Sequence, residues 1–169
     1  MTGDLALRLV HKIRSEENAI LVGTNTALKD NPSLTVRHWA DSNPVRAVID
    51  RSLRLPPALN LFDGSAETLI FNSEKECTEG LNTWIKIDFS NAVVPQVLNG
   101  LYHHKILSVI VEGGRQLIES FVQSQLWDEM HVFTGDKFFA GGIRAPRAQG
   151  KLVAEEKLGA DSLKVFRRL

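Results

Sequence analysis

LSVIVEGG (107–114), running straight into RQLIESFVQSQ (115–125), is the stretch that decides the fold. Val109, Ile110 and Val111 form an apolar run without alternation, the pattern of a buried strand. Two glycines end the run, and a helix-like segment starts at once. A buried strand feeding a helix is the unit of a parallel α/β sheet.

The same grammar extends in both directions. Upstream, AILVG (19–23), VRAVI (45–49), TLIF (68–71) and TWIKI (83–87) are strand candidates. Between the first two lies TNTALKDNP (24–32), a turn-rich stretch in which Pro32 disfavours helix at Asn31. Val94 to His104 has helical spacing, with Pro95 tolerated in a first turn. At the start, Leu5, Leu9 and Ile13 stand four apart beside Ala6 and Val10, which predicts a helix over 3–14 capped by Thr2. Downstream come a strand at EMHVF (129–133) and two more, KLVAEEKL and SLKVFRRL, flanking the turn Gly159-Ala160-Asp161. The expected fold is an α/β domain with a largely parallel sheet and a C-terminal antiparallel hairpin.

Composition narrows the function classes. The 169 residues suffice for one domain with a sizeable core. Twenty Lys+Arg balance twenty Asp+Glu, which gives no support for nucleic-acid or polybasic membrane binding. No apolar run reaches the roughly 20 residues of a membrane span, and MTGDLALRLVHK lacks a signal-peptide layout. Cys77 is the single cysteine, so an internal disulfide and a multi-cysteine metal site are excluded. No HxxxH or HExxH spacing suggests a metal. The expectation is a cytoplasmic domain without metal, nucleic-acid or membrane partners.

In open α/β sheets ligands gather beyond the C-terminal strand ends. Three ends carry polar residues here. After 107–111, Glu112 lies near the sheet rim, where partial burial calls for a partner. Gly113 and Gly114 let an anion approach the backbone, the helix start offers free N–H groups, and Arg115 adds a cation. The same pattern also suits a tight turn that binds nothing, and the residues alone leave both open. GxGxxG and GxxxxGK[ST] are absent. After 19–23, Thr26 and Asp30 have the groups to order a ribose or amide, although Asp30 equally suits a turn cap before Asn-Pro. Arg37 fits either a phosphate fork or a solvated strand end, and Arg14 a helix end. After 45–49 come Asp50, Arg51 and Ser52.

Taken together, AILVGTNTALKDNPSLTVR (19–37), PVRAVIDRSLRLP (44–56) and VEGGRQLIESFVQSQLWDEMHVF (111–133) resemble one known family. It is the reductase half of the bifunctional riboflavin-biosynthesis deaminase–reductase, in the dihydrofolate-reductase-like superfamily. T-x-L-x-D-N-P-x-L-T-x-R and V-E-G-G with its helix and L-W-D-E are separate motifs in the right order. The resemblance implies a three-layer dihydrofolate-reductase-like domain over 1–169. It implies NADPH-dependent reduction of the ribosyl group of 5-amino-6-(5-phosphoribosylamino)uracil to ribityl, and a homodimer. Thr26 and Asp30 would contact NADPH. Gly113, Gly114, Arg115, Gln116 and Leu117 would take its phosphates, with Arg51 reaching the 2′-phosphate or staying solvated. Arg14, Leu34, Arg37 and Glu112 would line the substrate site. Asp30 and Glu112 are alternative proton relays.

The sequence also departs from the family. The H-x-E…P-C-x-x-C deaminase signature is absent, so deamination is not expected. The family's first strand would precede the opening helix, so the 169 residues are expected to be a fragment with weak or no activity alone. Two other readings compete: another reductase of the superfamily, and a non-catalytic nucleotide-binding or assembly remnant.

Overall fold

The computed structural model describes residues 3–39, 42–137, 141–142 and 144–169. Helix α1 (Asp4–Glu16) opens the chain, followed by strand β1 (Ala19–Gly23) and helix α2 (Thr24–Asp30). Strands β2 (Val45–Ile49), β3 (Thr68–Asn72), β4 (Cys77–Glu79) and β5 (Asn82–Lys86) come next. Helix α3 (Val93–His103), strand β6 (Val109–Val111) and helix α4 (Arg115–Gln123) lead to β7 (Glu129–Thr134), β8 (Lys151–Leu158) and β9 (Asp161–Arg167). No helix among the described residues is long and apolar enough to cross a membrane.

Six strands form one sheet in the order β4-β5-β3-β2-β1-β6, parallel except for β4. Strand β1 lies between β2 and β6, with Leu21 between Ala47 and Val111. Alternation along the strands feeds two cores. Ala19, Leu21, Leu69 and Phe71 pack under α3 and α4 with Val97, Leu101 and Phe121. Ile20, Val22, Val48 and Ile70 face the opposite side with Ala27, Leu34 and Leu61. Each buried Leu, Ile or Phe contributes roughly 1.5–3 kcal/mol relative to exposure. The sheet is therefore apolar on both faces, as the unbroken runs of its strands require.

One local reading is corrected. Residues 24–30, expected as turn, make two turns of helix. Their end comes where expected: Asn31 takes a left-handed φ of 38° and donates its N–H to the Ala27 carbonyl, ahead of Pro32. Within the polar stretch around Cys77, β4 pairs antiparallel with β5, where Lys75 stands 3.9 Å over the Trp84 ring. Thr2, expected as the α1 cap, lies outside the described residues. Gly3 occupies the cap position, and its N–H donates to Asp161 Oδ2 at 2.5 Å, tying α1 to β9.

The expected hairpin forms as β8 and β9, with β7 added on the far side of β9. This three-stranded sheet is separate from the first. Between β6 and β7 lies a cavity of about 920 Å³.

Arg46 is the largest fully buried side chain, and sequence reasoning passed over it. From β2 it donates to the Asn60 and Leu61 carbonyls, Asp63 Oδ1 and Ser65 Oγ, pinning the 60–65 turn to the sheet.

Candidate active site

The C-terminal ends of β1, β2 and β6 lie side by side, because these strands are parallel neighbours. Each delivers a polar segment to the same rim. From β6, Glu112 meets Arg14 of α1 in a two-pronged ion pair. Nε donates to Oε1 at 2.6 Å and Nη2 to Oε2 at 2.5 Å. The planar guanidinium matches both carboxylate oxygens, which fixes both side chains. Arg14 also reaches toward the Thr35 carbonyl at 3.5 Å. The partner that the rim position of Glu112 called for is thus Arg14.

Gly113 and Gly114 follow with φ of 102° and 27°. A Cβ on Gly113 would lie 2.7 Å from Thr26 Cγ2, so only glycine lets α2 and the start of α4 come this close. The turn brings Thr26, Gly113 and Gly114 together. Behind it, Leu117 and Ile118 already donate to the Gly114 carbonyl, whereas Arg115 and Gln116 begin the helix with N–H groups that have no partner in their own turn. Arg115 and Gln116 are exposed and Leu117 is buried. The Arg115 side chain is paired with Glu119 at 2.6 Å rather than aimed across the turn.

The segment after α2 forms the other wall. Leu34, φ 53°, is buried in the core beneath it. Arg37 is exposed, and its backbone N–H donates to His11 Nδ1 at 3.2 Å, which puts the proton of the neutral ring on Nε2. His11 is a residue that sequence reasoning did not single out. It is buried on α1, three positions before Arg14, and its ring meets His38 edge-on at 4.8 Å. Burial, then the charges of Arg14, His38 and Arg37, hold its imidazole below the usual 6.5, against an opposing pull from Glu112. The i, i+3 spacing of His11 and Arg14 on an otherwise apolar helix face was the available signal.

Asp30 is exposed at the end of α2, with no side-chain partner among the described residues. Asp50, by contrast, is fully engaged. It accepts from the Thr24 hydroxyl and the Leu55 N–H and serves the fold. Arg51 stands 5.6 Å over the Phe89 ring, in a cleft of about 550 Å³ that Lys86 and Ser90 also line. The structure therefore joins Arg14, Glu112, Thr26, Gly113 and Gly114 directly, sets Arg37 beside them through His11, and leaves Arg51 in a neighbouring cleft. Among the described residues no cluster of three His, Cys, Asp or Glu is arranged for a metal.

Comparison with known proteins gives this arrangement a family. The riboflavin biosynthesis protein RibD of Synechocystis is 32% identical over 158 residues, covering 90% of this chain and 43% of the relative. A 2,5-diamino-6-ribosylamino-4(3H)-pyrimidinone 5′-phosphate reductase of Archaeoglobus fulgidus is 29% identical over 151 residues, 80% of this chain and 69% of that one. A solved deaminase/5-amino-6-(5-phosphoribosylamino)uracil reductase from Thermotoga maritima matches 99% of this chain and 50% of its own, with a TM-score of 0.86 and 29% identity. This chain spans about half the length of the RibD relatives it matches. The family model described as RibD C-terminal domain matches residues 1–165, and the chain belongs to that family.

Proposed function

We propose that this domain reduces the ribosyl group of a phosphorylated ribosylaminopyrimidine, 5-amino-6-(5-phosphoribosylamino)uracil, to a ribityl chain with NADPH. The observation that carries the reading is the double-glycine turn held against Thr26, directly beside the Arg14–Glu112 pair. The residues present fit a dinucleotide: a Cβ-free backbone, two first-turn N–H groups of a nine-residue helix, and an adjacent cleft with Arg51, Lys86 and Phe89.

When bound, the cofactor supplies a hydride for C1′ of the sugar. The chain's own residues do the rest. Gly113, Gly114 and the N–H groups of Arg115 and Gln116 receive the phosphates, with Thr26 packed behind the turn and Leu117 anchoring it in the core. Arg51 reads the 2′-phosphate. Arg37, free of any carboxylate partner among the described residues, takes the substrate phosphate, and Leu34 shapes the floor beneath it. Both Glu112 oxygens are occupied by Arg14, so the pair orients the substrate as a unit. Opening the ribose breaks the C1′–O bond, and the ring oxygen needs a proton. Asp30, exposed at the end of α2 and without a side-chain partner among the described residues, is the group to relay it. A homodimer belongs to the same reading.

Fluorescence titration with NADPH and NADH tests the cofactor part. NADPH is expected to bind more tightly, and Arg51→Ala to remove the preference. Equal affinities in the unaltered chain take Arg51 out of the site. Binding of neither takes the glycine turn out as well.

The Archaeoglobus relative's name carries a 2-amino pyrimidinone in place of the uracil. The two bases share the ribosyl phosphate that Arg37 and Glu112 address, and relative rates on the two compounds separate them.

A further inference from the structure

Residues 31–37, which include Leu34 and Arg37, belong to no helix or strand. Among the described residues no backbone–backbone hydrogen bond reaches 32–37. Side chains hold the segment instead. Arg14 Nη1 reaches the Thr35 carbonyl at 3.5 Å, Asn43 Oδ1 accepts from the Val36 N–H at 2.8 Å, and His11 Nδ1 accepts from the Arg37 N–H at 3.2 Å. Asn43 is exposed and Arg14 half-buried, whereas His11 is 1% exposed. The buried contact is therefore the one made to Arg37 itself.

Burying an imidazole costs free energy unless its polar atoms are used, and the Arg37 N–H uses the Nδ1 lone pair. Helix α1 grips the segment at further points. Arg14 meets Thr35, the His11 ring meets His38 edge-on at 4.8 Å, and Lys12 stands 5.9 Å over the Trp39 ring. Beyond this grip the Arg37 side chain is exposed. A long, flexible side chain is aimed only as well as its backbone is held, and a small misplacement of a binding group costs affinity.

We propose that His11 is a positioning residue for substrate binding: its Nδ1 lone pair fixes the Arg37 backbone, and so the place from which the Arg37 guanidinium meets the substrate phosphate, and a second proton on the ring releases it. This rests on the reading of Arg37 as the phosphate ligand. The second proton goes to Nδ1, turns the acceptor into a donor, and sets two N–H groups against each other. It also adds a cation among the charged groups that face the ring. These are Arg14 on the same helix, Arg37 and His38 from the segment against it, and Glu112 from the end of β6. The first three disfavour the added charge, and Glu112, gripped by Arg14, opposes them. With burial added, the ring stays neutral and accepting at neutral pH and lets go only as pH falls below 6.5.

Heteronuclear NMR of the unaltered chain reads the contact without an activity assay. At neutral pH the His11 ring should carry its proton on Nε2. As pH falls, the Arg37 amide should shift and exchange faster with the midpoint of the His11 ring, below 6.5. A ring protonated on Nδ1 at neutral pH, or an Arg37 amide indifferent to the ring's titration, overturns the proposal. Kinetics reads the consequence. His11→Leu keeps bulk without the lone pair and should raise KM for 5-amino-6-(5-phosphoribosylamino)uracil about three- to tenfold, with kcat and NADPH affinity unchanged. His11→Asn supplies an acceptor that does not titrate, so its KM should stay near that of the unaltered chain at neutral pH and rise less on acidification. The substrate phosphate's own titration is common to both chains. KM profiles that coincide at every pH overturn the proposal. In an Arg37→Ala background His11→Leu should change KM less than about twofold, because the group it positions is gone. An equal effect with and without Arg37 makes His11 structural only and overturns the proposal. Unchanged KM in Arg37→Ala alone is a different failure: it overturns the reading of Arg37, and the proposal with it.

Discussion

Arg37 and Arg14 show how one residue type takes two fates within one site. Arg14 has a carboxylate gripping it on two sides, whereas the Arg37 guanidinium stands exposed. A free fork beside a phosphorylated substrate contributes a charge-assisted contact, worth about 1.5–3 kcal/mol. Arg37→Ala should therefore raise KM for the phosphorylated substrate by roughly ten- to a hundredfold and leave NADPH affinity unchanged. Steady-state kinetics with a parallel cofactor titration checks this, and an unchanged KM removes Arg37 from the site. His11 makes a second prediction. Its folded-state imidazole titrates below 6.5 because it is buried among cations, so the unfolded chain takes up the proton first as pH falls. The His11 contribution is fully present above pH 6.5 and is lost as pH falls from there through the lowered value. Urea unfolding at a series of pH values should show this loss, and His11→Gln should flatten it. A wild-type curve level across that window would contradict the buried neutral ring.

At the scale of elements, legibility followed the apolar pattern. The runs in β1, β2, β3 and β6 were readable because a strand buried on both faces admits few polar residues, and the Gly159 turn marked the last hairpin. Helix α2 was not readable. It is seven residues long and is held by the packing of Ala27 against β1 and β2 more than by propensity. Strand β4 was hidden for a similar reason, since its three residues are half-buried or exposed and leave no periodicity to see. The glycine turn was visible as a motif, but that Thr26 closes against it depends on two strand ends meeting in space. Arg46 was invisible because a lone arginine in an apolar strand gives no sign of its four partners. Its counter-ion Asp63 is held down to about 2 by that hydrogen bond and by Ser65. Asp63→Ala strips a buried guanidinium of its charge partner and should cost about 1–3 kcal/mol, read by denaturant unfolding. The cost should be full above the usual carboxylate value of 3.8 and shrink as pH falls toward 2. Equal loss at all pH values would mean that the charge of the Asp63 carboxylate plays no part in holding the turn.

For the whole molecule, the central claim is that the rim where β1, β2 and β6 end is a hydride-transfer site. The fold sets the double-glycine turn beside the Arg14–Glu112 pair, with Arg37 joined to the same helix through His11, an arrangement that would serve to position a dinucleotide against a phosphorylated sugar. A single-turnover experiment is the most direct test, because enzyme in excess registers even slow chemistry. The chain, NADPH and 5-amino-6-(5-phosphoribosylamino)uracil are mixed, and the loss of reduced-nicotinamide absorbance is followed together with the ribityl product. The account predicts one hydride transferred per substrate molecule, with no loss of absorbance when substrate is withheld. Bound NADPH that stays reduced for hours under saturating substrate would contradict it.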